Sequence, residues 1–144
     1  MRAASPVPSV LVMSDQTLPA RAVELLRAPH FATVATLNPD GSPQLSIVWV
    51  TTDGDDVVFS TIEGRRKTRN MERDPRVSVI VCPPDAPYTY AEVRGTVTMT
   101  TQGGRDLIDR FAREYTGAER YTADDGTDNV RVVVRVTPTK VIVR

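Results

Sequence analysis

FATVATL (31–37), NPDGS (38–42), PQLSIVWV (43–50), TTDGD (51–55) and VVFSTI (57–62) follow one another along the chain. Apolar and β-branched residues recur at period two in the first, third and fifth of these, which predicts strands. The links between them are turn sequences: glycine accepts positive φ, and Asn and Asp bond to their own backbone. Such short links join antiparallel neighbours, because a parallel crossover needs a dozen residues or more. This stretch decides for a β architecture built from hairpins.

Working outward, the pattern breaks at Gly64, and Arg65 to Arg73 reads as a short helix closed by Asp74-Pro75. RVSVIVC (76–82) predicts a fourth strand, and PPDAP (83–87) a loop. Tyr88 to Met99 predicts a long fifth strand bent at Gly95, and VRVVVRV to KVIVR (130–144) the sixth. Upstream, Thr17 is placed to cap a helix with Pro19 in its first turn, its inner face Leu18, Ala22, Leu25 and Leu26, ended by Pro29. A further helix spans Gly104 to Tyr115, with Leu107, Ile108, Phe111 and Tyr115 inward. The expectation is mainly β with flanking helices: six antiparallel strands closing toward a barrel, which removes exposed edges. Residues 1–14 read as a loose tail and residues 15–144 as a single domain.

Composition narrows the function classes. With 144 residues and 40% apolar content, the chain holds one core. Its 18 basic and 18 acidic residues cancel, which argues against bulk electrostatic binding of nucleic acid. Cys82 is the sole cysteine and His30 the sole histidine, so no intrachain disulfide forms and this subunit alone builds no conventional zinc site. No apolar run reaches the roughly 18 residues of a membrane span. MRAASPVPSVLVM makes a poor secretory signal, so a cytoplasmic protein is expected.

Two stretches carry chemistry. Ser60-Thr61-Ile62-Glu63-Gly64-Arg65-Arg66-Lys67-Thr68-Arg69-Asn70 ends a strand in hydroxyls, turns at a glycine and leads four cations into a helix. Hydroxyls, free N–H groups and fixed positive charge make a phosphate cradle; the competing reading is a solvated basic helix. Lysine occurs only at 67 and 140, so its use at 67 stands out among arginines. In PQLSIVWV, Gln44, Ser46, Val48 and Val50 share one face, and Leu45, Ile47 and Trp49 the other. A flat ring fits against such a strand; core packing is the competing reading for Trp49. The acidic loop Asp124-Asp125-Gly126-Thr127-Asp128 lacks the spacing of a calcium loop and reads as an exposed turn.

HFATVATLNPDGSPQLSIVWV, VVFSTIEGRRKTRNMERDPRVSVIV and YAEVRGTVTM together resemble the pyridoxamine 5′-phosphate oxidase-like split barrels, the flavin mononucleotide (FMN)-binding-protein-like fold. Within these the chain looks like the actinobacterial branch of F420-dependent oxidoreductases, over roughly residues 18–143. The resemblance implies a homodimer with cofactor grooves at the subunit interface. It puts the cofactor phosphate beside Ser60, Thr61, Arg66 and Lys67, with Arg65 and Asn70 nearby, and the ring along Ser46 to Val50 with Gln44 adjoining. Tyr88 and Tyr90 would come from the neighbouring subunit. The vitamin-forming oxidases carry a C-terminal arginine-containing motif to which KVIVR has no counterpart, so that activity is not expected.

The expected function is hydride transfer from reduced coenzyme F420 to a conjugated small-molecule acceptor. The alternatives are an FMN oxidase or reductase and a non-catalytic carrier. No residue stands out as catalytic; solvent or Tyr88 would supply a proton. Apolar area at Tyr88, Tyr90 and Trp49, more than one small core buries, also points to a dimer.

Overall fold

A computed structural model describes residues 11–13 and 17–144. In chain order the elements are β1 (Leu11–Met13), α1 (Ala20–Arg27), β2 (Ala32–Leu37), β3 (Pro43–Val48), β4 (Val50–Asp53), β5 (Asp56–Ile62), α2 (Arg66–Arg73), β6 (Arg76–Val81), β7 (Ala91–Thr100), α3 (Gly104–Thr116) and β8 (Arg131–Val143). Leu11–Met13, inside the stretch expected to be a loose tail, pairs antiparallel with Val141–Val143; the rest of 1–14 lies outside the described residues.

Seven strands run in the order β3-β2-β6-β7-β8-β5-β4, and β1 adds to β8. Every pairing is antiparallel. The order itself dictates curvature. β3 and β4 occupy opposite edges, yet only Trp49 separates them in the chain. Val48 and Val50 are therefore within about 7 Å of each other, and a sheet of seven strands meets that limit only by curling until its edges touch. No pairing joins β3 to β4 among the described residues, so the barrel is split at this seam.

Trp49 also explains why the sequence undercounts strands. PQLSIVWV, expected to be one strand, is cut in two because the indole stacks on Tyr115 (centroids 5.3 Å apart, planes at 20°). The Tyr115 hydroxyl accepts the Val50 N–H at 3.0 Å and donates to the His30 carbonyl at 2.8 Å, in place of a strand partner. Burial pushes that phenol's pKa up and keeps it a donor.

The inner faces of the sheet and α1 close one core, with Leu26, Val34, Phe59, Val93, Val134 and Val141 fully covered. Two element ends differ from expectation. The N-cap position of α1 is Pro19, two residues after Thr17. β7 begins at Ala91 because the proline-rich loop turns twice, through Ala86 N–H to Pro83 and Thr89 N–H to Ala86. Tyr88 therefore sits in a turn, 87% exposed, rather than on a strand face. The bend expected at Gly95 is present as a register shift between Arg94 and Gly95. A side chain at Gly95 would overlap the Thr137 carbonyl, which explains the glycine. No helix among the described residues is long and apolar enough to cross a membrane.

Candidate functional site

The end of β5, the start of α2, the start of β8 and the inner side of α3 surround a cleft of about 360 Å³. Its apolar wall is Phe31, Ile47, Val48, Trp49, Ile62, Ile108 and Phe111; its polar end is Ser60, Thr61, Arg65, Lys67, Tyr121 and Arg131. The aromatic wall is a connected set. Trp49 meets Phe111 edge-on at 6.4 Å and Tyr121 at 6.0 Å, besides its stack on Tyr115.

The polar end follows from local sequence. β5 ends at Ile62, Gly64 turns with φ 84°, and α2 begins at Arg66 with Arg65 in extended backbone at its N-cap. No side chain caps α2, so the N–H groups of its first turn stay available to an anion. None of the ion pairs among the described residues involves Arg65, Arg66, Lys67 or Arg69. Half-burial, with the charges of Arg65 and Arg131 added, holds the Lys67 ammonium below the ordinary lysine range. Such a cluster is relieved by an anion and by little else. In a second groove of about 450 Å³, between α3 and β4, two of the three arginines, Arg110 and Arg135, are paired with Glu114 and Asp53, and Arg27 has no ion pair among the described residues.

Six of the twelve residues singled out from sequence line the cleft: Val48, Trp49, Ser60, Thr61, Arg65 and Lys67. Thr61 is there with its hydroxyl already engaged. It lies 2.9 Å from Thr68 Oγ1, which itself donates to the Ile62 carbonyl, so Thr61 supplies the proton of that pair. Ser60 keeps its proton free and receives only a long 3.4 Å contact from Arg131.

The other six lie elsewhere. Asn70 is fully buried and donates to Thr36 Oγ1 at 3.0 Å and Asn38 Oδ1 at 3.1 Å, pinning α2 to the β2–β3 hairpin. Gln44 accepts from Thr36 at 2.9 Å on the same network. Arg66 is exposed and borders a shallow groove with Asn38 and Asp40. Val50 is core. Tyr88 is in its turn. Ser46 has a buried hydroxyl with no hydrogen-bond partner among the described residues.

Sequence reasoning missed Phe31, Phe111, Tyr121, Asp124 and Arg131. The loop is an exposed turn over residues 125–128, as expected, but Asp124 at its head is not: its side chain is 7% exposed and grips Arg131 at 2.6 Å. That guanidinium holds its carboxyl below the usual range, and Asn129 assists.

A curled antiparallel half-barrel with flanking helices and an unpaired cationic end in an aromatic cleft defines a class, the split-barrel oxidoreductases related to flavin and deazaflavin chemistry. The model of the pyridoxamine 5′-phosphate oxidase family matches residues 18–144, and the chain belongs to that family. It is similar to a solved protein named F420 reductase, with 32% identity over 86% of this chain and 98% of that one and a TM-score of 0.75. A putative pyridoxamine 5′-phosphate oxidase of Lactobacillus delbrueckii shares 16% identity over 90% and 97% of the two chains, TM-score 0.64. A putative 5-nitroimidazole antibiotic resistance protein of Bacteroides thetaiotaomicron shares 17% over 93% and 88%, TM-score 0.63. The last two are likenesses of fold alone.

Proposed function

We propose that the chain binds coenzyme F420 with its phosphate at the polar end of this cleft and passes a hydride from the reduced cofactor to a conjugated small-molecule acceptor. The observation that carries the phosphate placement is the unpaired pair Arg65 and Lys67 beside the open first turn of α2. The choice of a deazaflavin is supported by the 32% identity to the F420 reductase across most of both chains. When bound, the reduced deazaflavin supplies a hydride from carbon, a two-electron transfer with little reaction toward oxygen.

This chain's residues bind and orient. Arg65 and Lys67 attract the phosphate, and the Ser60 hydroxyl donates to it. Ile47, Val48 and Trp49 provide the bed for the ring. Trp49, Phe111 and Ile108 keep the apolar wall dry, which strengthens each polar contact at the other end.

The proposed assembly is a homodimer, and its support differs in part from that expected. Trp49 packs within its own chain. Tyr88 (87%) is exposed as expected, and Phe31 (63%), Leu45 (64%), Ile47 (63%), Ile80 (39%) and Val130 (42%) add to the exposed apolar surface; Phe31 and Ile47 also line the cleft. A second copy seated there would cover the open side of the site. Light scattering is expected to give twice the 15.8 kDa chain mass, and Leu45→Glu with Ile47→Glu to give the monomer; a monomeric parent protein sinks the dimer.

Anaerobic titration followed by turnover tests the cofactor. The protein is expected to bind F420 and to speed oxidation of its reduced form by a conjugated acceptor but not by oxygen. Oxygen-dependent turnover with bound FMN would replace this reading by a flavin enzyme. Tight F420 binding with no turnover on quinone, nitroaromatic and tetrapyrrole acceptors would replace it by a carrier.

A further inference from the structure

Arg131 enters the cleft already held in place. Its side chain is 11% exposed, and Nε and Nη2 donate to the two oxygens of Asp124 at 2.6 and 3.0 Å. Its guanidinium lies over the Tyr121 ring, 4.8 Å from the centroid. Its backbone is fixed as well. Gly104 starts α3 directly against the Arg131 carbonyl, where any side chain would overlap it. Asp124 is itself steadied by Asn129 Nδ2 at 3.0 Å.

A guanidinium carries five N–H donors. Two are spent on Asp124, and a third reaches Ser60 Oγ at only 3.4 Å. The remaining two meet no acceptor among the described residues, although this group is nearly buried and lines the cleft together with Lys67. A planar fork clamped by a carboxylate along one edge and open along the other is shaped for a second oxyanion. Charge balance shows what it would add. Asp124 cancels the charge of Arg131, so the pair contributes direction rather than attraction, while Arg65 and Lys67 contribute attraction.

Resting on the phosphate-binding reading of this cleft, we propose that Arg131 is a specificity-determining contact to the ligand's phosphate and that Asp124 is its positioning residue. Arg131 and Ser60 together recognise phosphate oxygens by directed hydrogen bonds. The acidic loop 124–128 thereby serves to aim an arginine that arrives about 65 residues after the phosphate-gripping run.

Fluorescence titration with F420 and with its chromophore lacking the phosphate tests this, the readout being the ratio of the two affinities. Arg131→Met is expected to weaken F420 about 10–100-fold and to leave the unphosphorylated chromophore unchanged, so the ratio collapses. Arg131→Lys restores the charge but not the fork, and is expected not to rescue it. Asp124→Asn decides between direction and charge. If Arg131 acted by charge alone, losing the neighbouring carboxylate would tighten F420 binding; a positioned fork loses affinity instead. Breaking a buried ion pair endangers folding, so Asp124→Leu with Arg131→Met, which leaves neither charge unpaired, is measured alongside and is expected to show the same collapse. A wild-type ratio in Arg131→Met or in the double variant, with Lys67→Ala weakened, overturns this proposal and leaves the phosphate reading standing. Tighter F420 binding by Asp124→Asn overturns the positioning role. Equal affinity of wild type for both probes overturns the phosphate reading and this proposal together.

Discussion

Lys67 and Asn70 leave α2 on the same side, three residues and about 4.5 Å of helix rise apart, and they meet opposite fates. Asn70, in the second turn, is fully buried, with its amide bonded to Thr36 and Asn38 and its carbonyl oxygen facing Arg73 at 3.4 Å. Lys67, in the first turn, is half-buried with no anion beside it. Polarity inside a fold is satisfied either by the chain itself or by something the chain is waiting for. One turn of helix separates the two cases here, so a contiguous basic and polar run in sequence divides into a structural pin and a binding group.

The division is open to breaking by substitution. Asn70→Ala is expected to cost about 2–3 kcal/mol in urea unfolding, because it removes the donor shared by the buried Thr36 hydroxyl and the part-buried Asn38 carbonyl oxygen and leaves a small void. The cofactor affinity of its folded fraction should equal that of the parent. Full stability with a tenfold loss of affinity would move Asn70 to the binding side. Lys67→Ala is expected to do the reverse, weakening F420 by about 1.5–3 kcal/mol, roughly tenfold to a hundredfold, without lowering Tm.

Titration sharpens the same contrast. The folded protein holds the Lys67 proton less tightly than the unfolded chain does, mainly through burial. The group therefore disfavours the ligand-free fold at neutral pH, and that penalty fades as pH rises toward the ordinary lysine value. The Tm gap between Lys67→Met and the parent should favour the variant at pH 7 and shrink by pH 10; a gap that widens contradicts the burial. The smallest effect belongs to Arg66→Ala. Arg66 is exposed and off the cleft, so its loss should change F420 affinity by less than about fivefold. A larger loss would extend the anion site onto the outer side of α2.

The strands were legible because their signals are local. The Asn38–Ser42 turn closes with the Asn38 N–H on the Ser42 carbonyl and Gly41 at φ 85°, as that residue order demands. The cation run at the start of α2 was legible for the same reason. The rest of the site was not, since its distance along the chain hides it. Arg131 reaches Ser60 only because Ile62 pairs with Arg131 across β5 and β8, and Tyr121 reaches Trp49 only because α3 folds back over that seam. Asn70 and Tyr88 lie away from their own chain's cleft for reasons that need three dimensions. Asn70 faces a hairpin more than thirty residues earlier in the chain, and Tyr88 belongs to a turn of the proline loop.

β8 comes last among the described strands, and β1, β5 and β7 all pair with it. While the chain is being synthesised, β2 with β3, β4 with β5 and β6 with β7 can each pair as they emerge. No strand pairing then joins the β4–β5 hairpin to the growing β3-β2-β6-β7 sheet; only the Trp49 link and α2 connect them. Both pieces show their inner valines to solvent until residues 131–143 have left the ribosome. Closing the sheet is thus a late step, and a chain stalled before β8 is a natural substrate for chaperones and proteases.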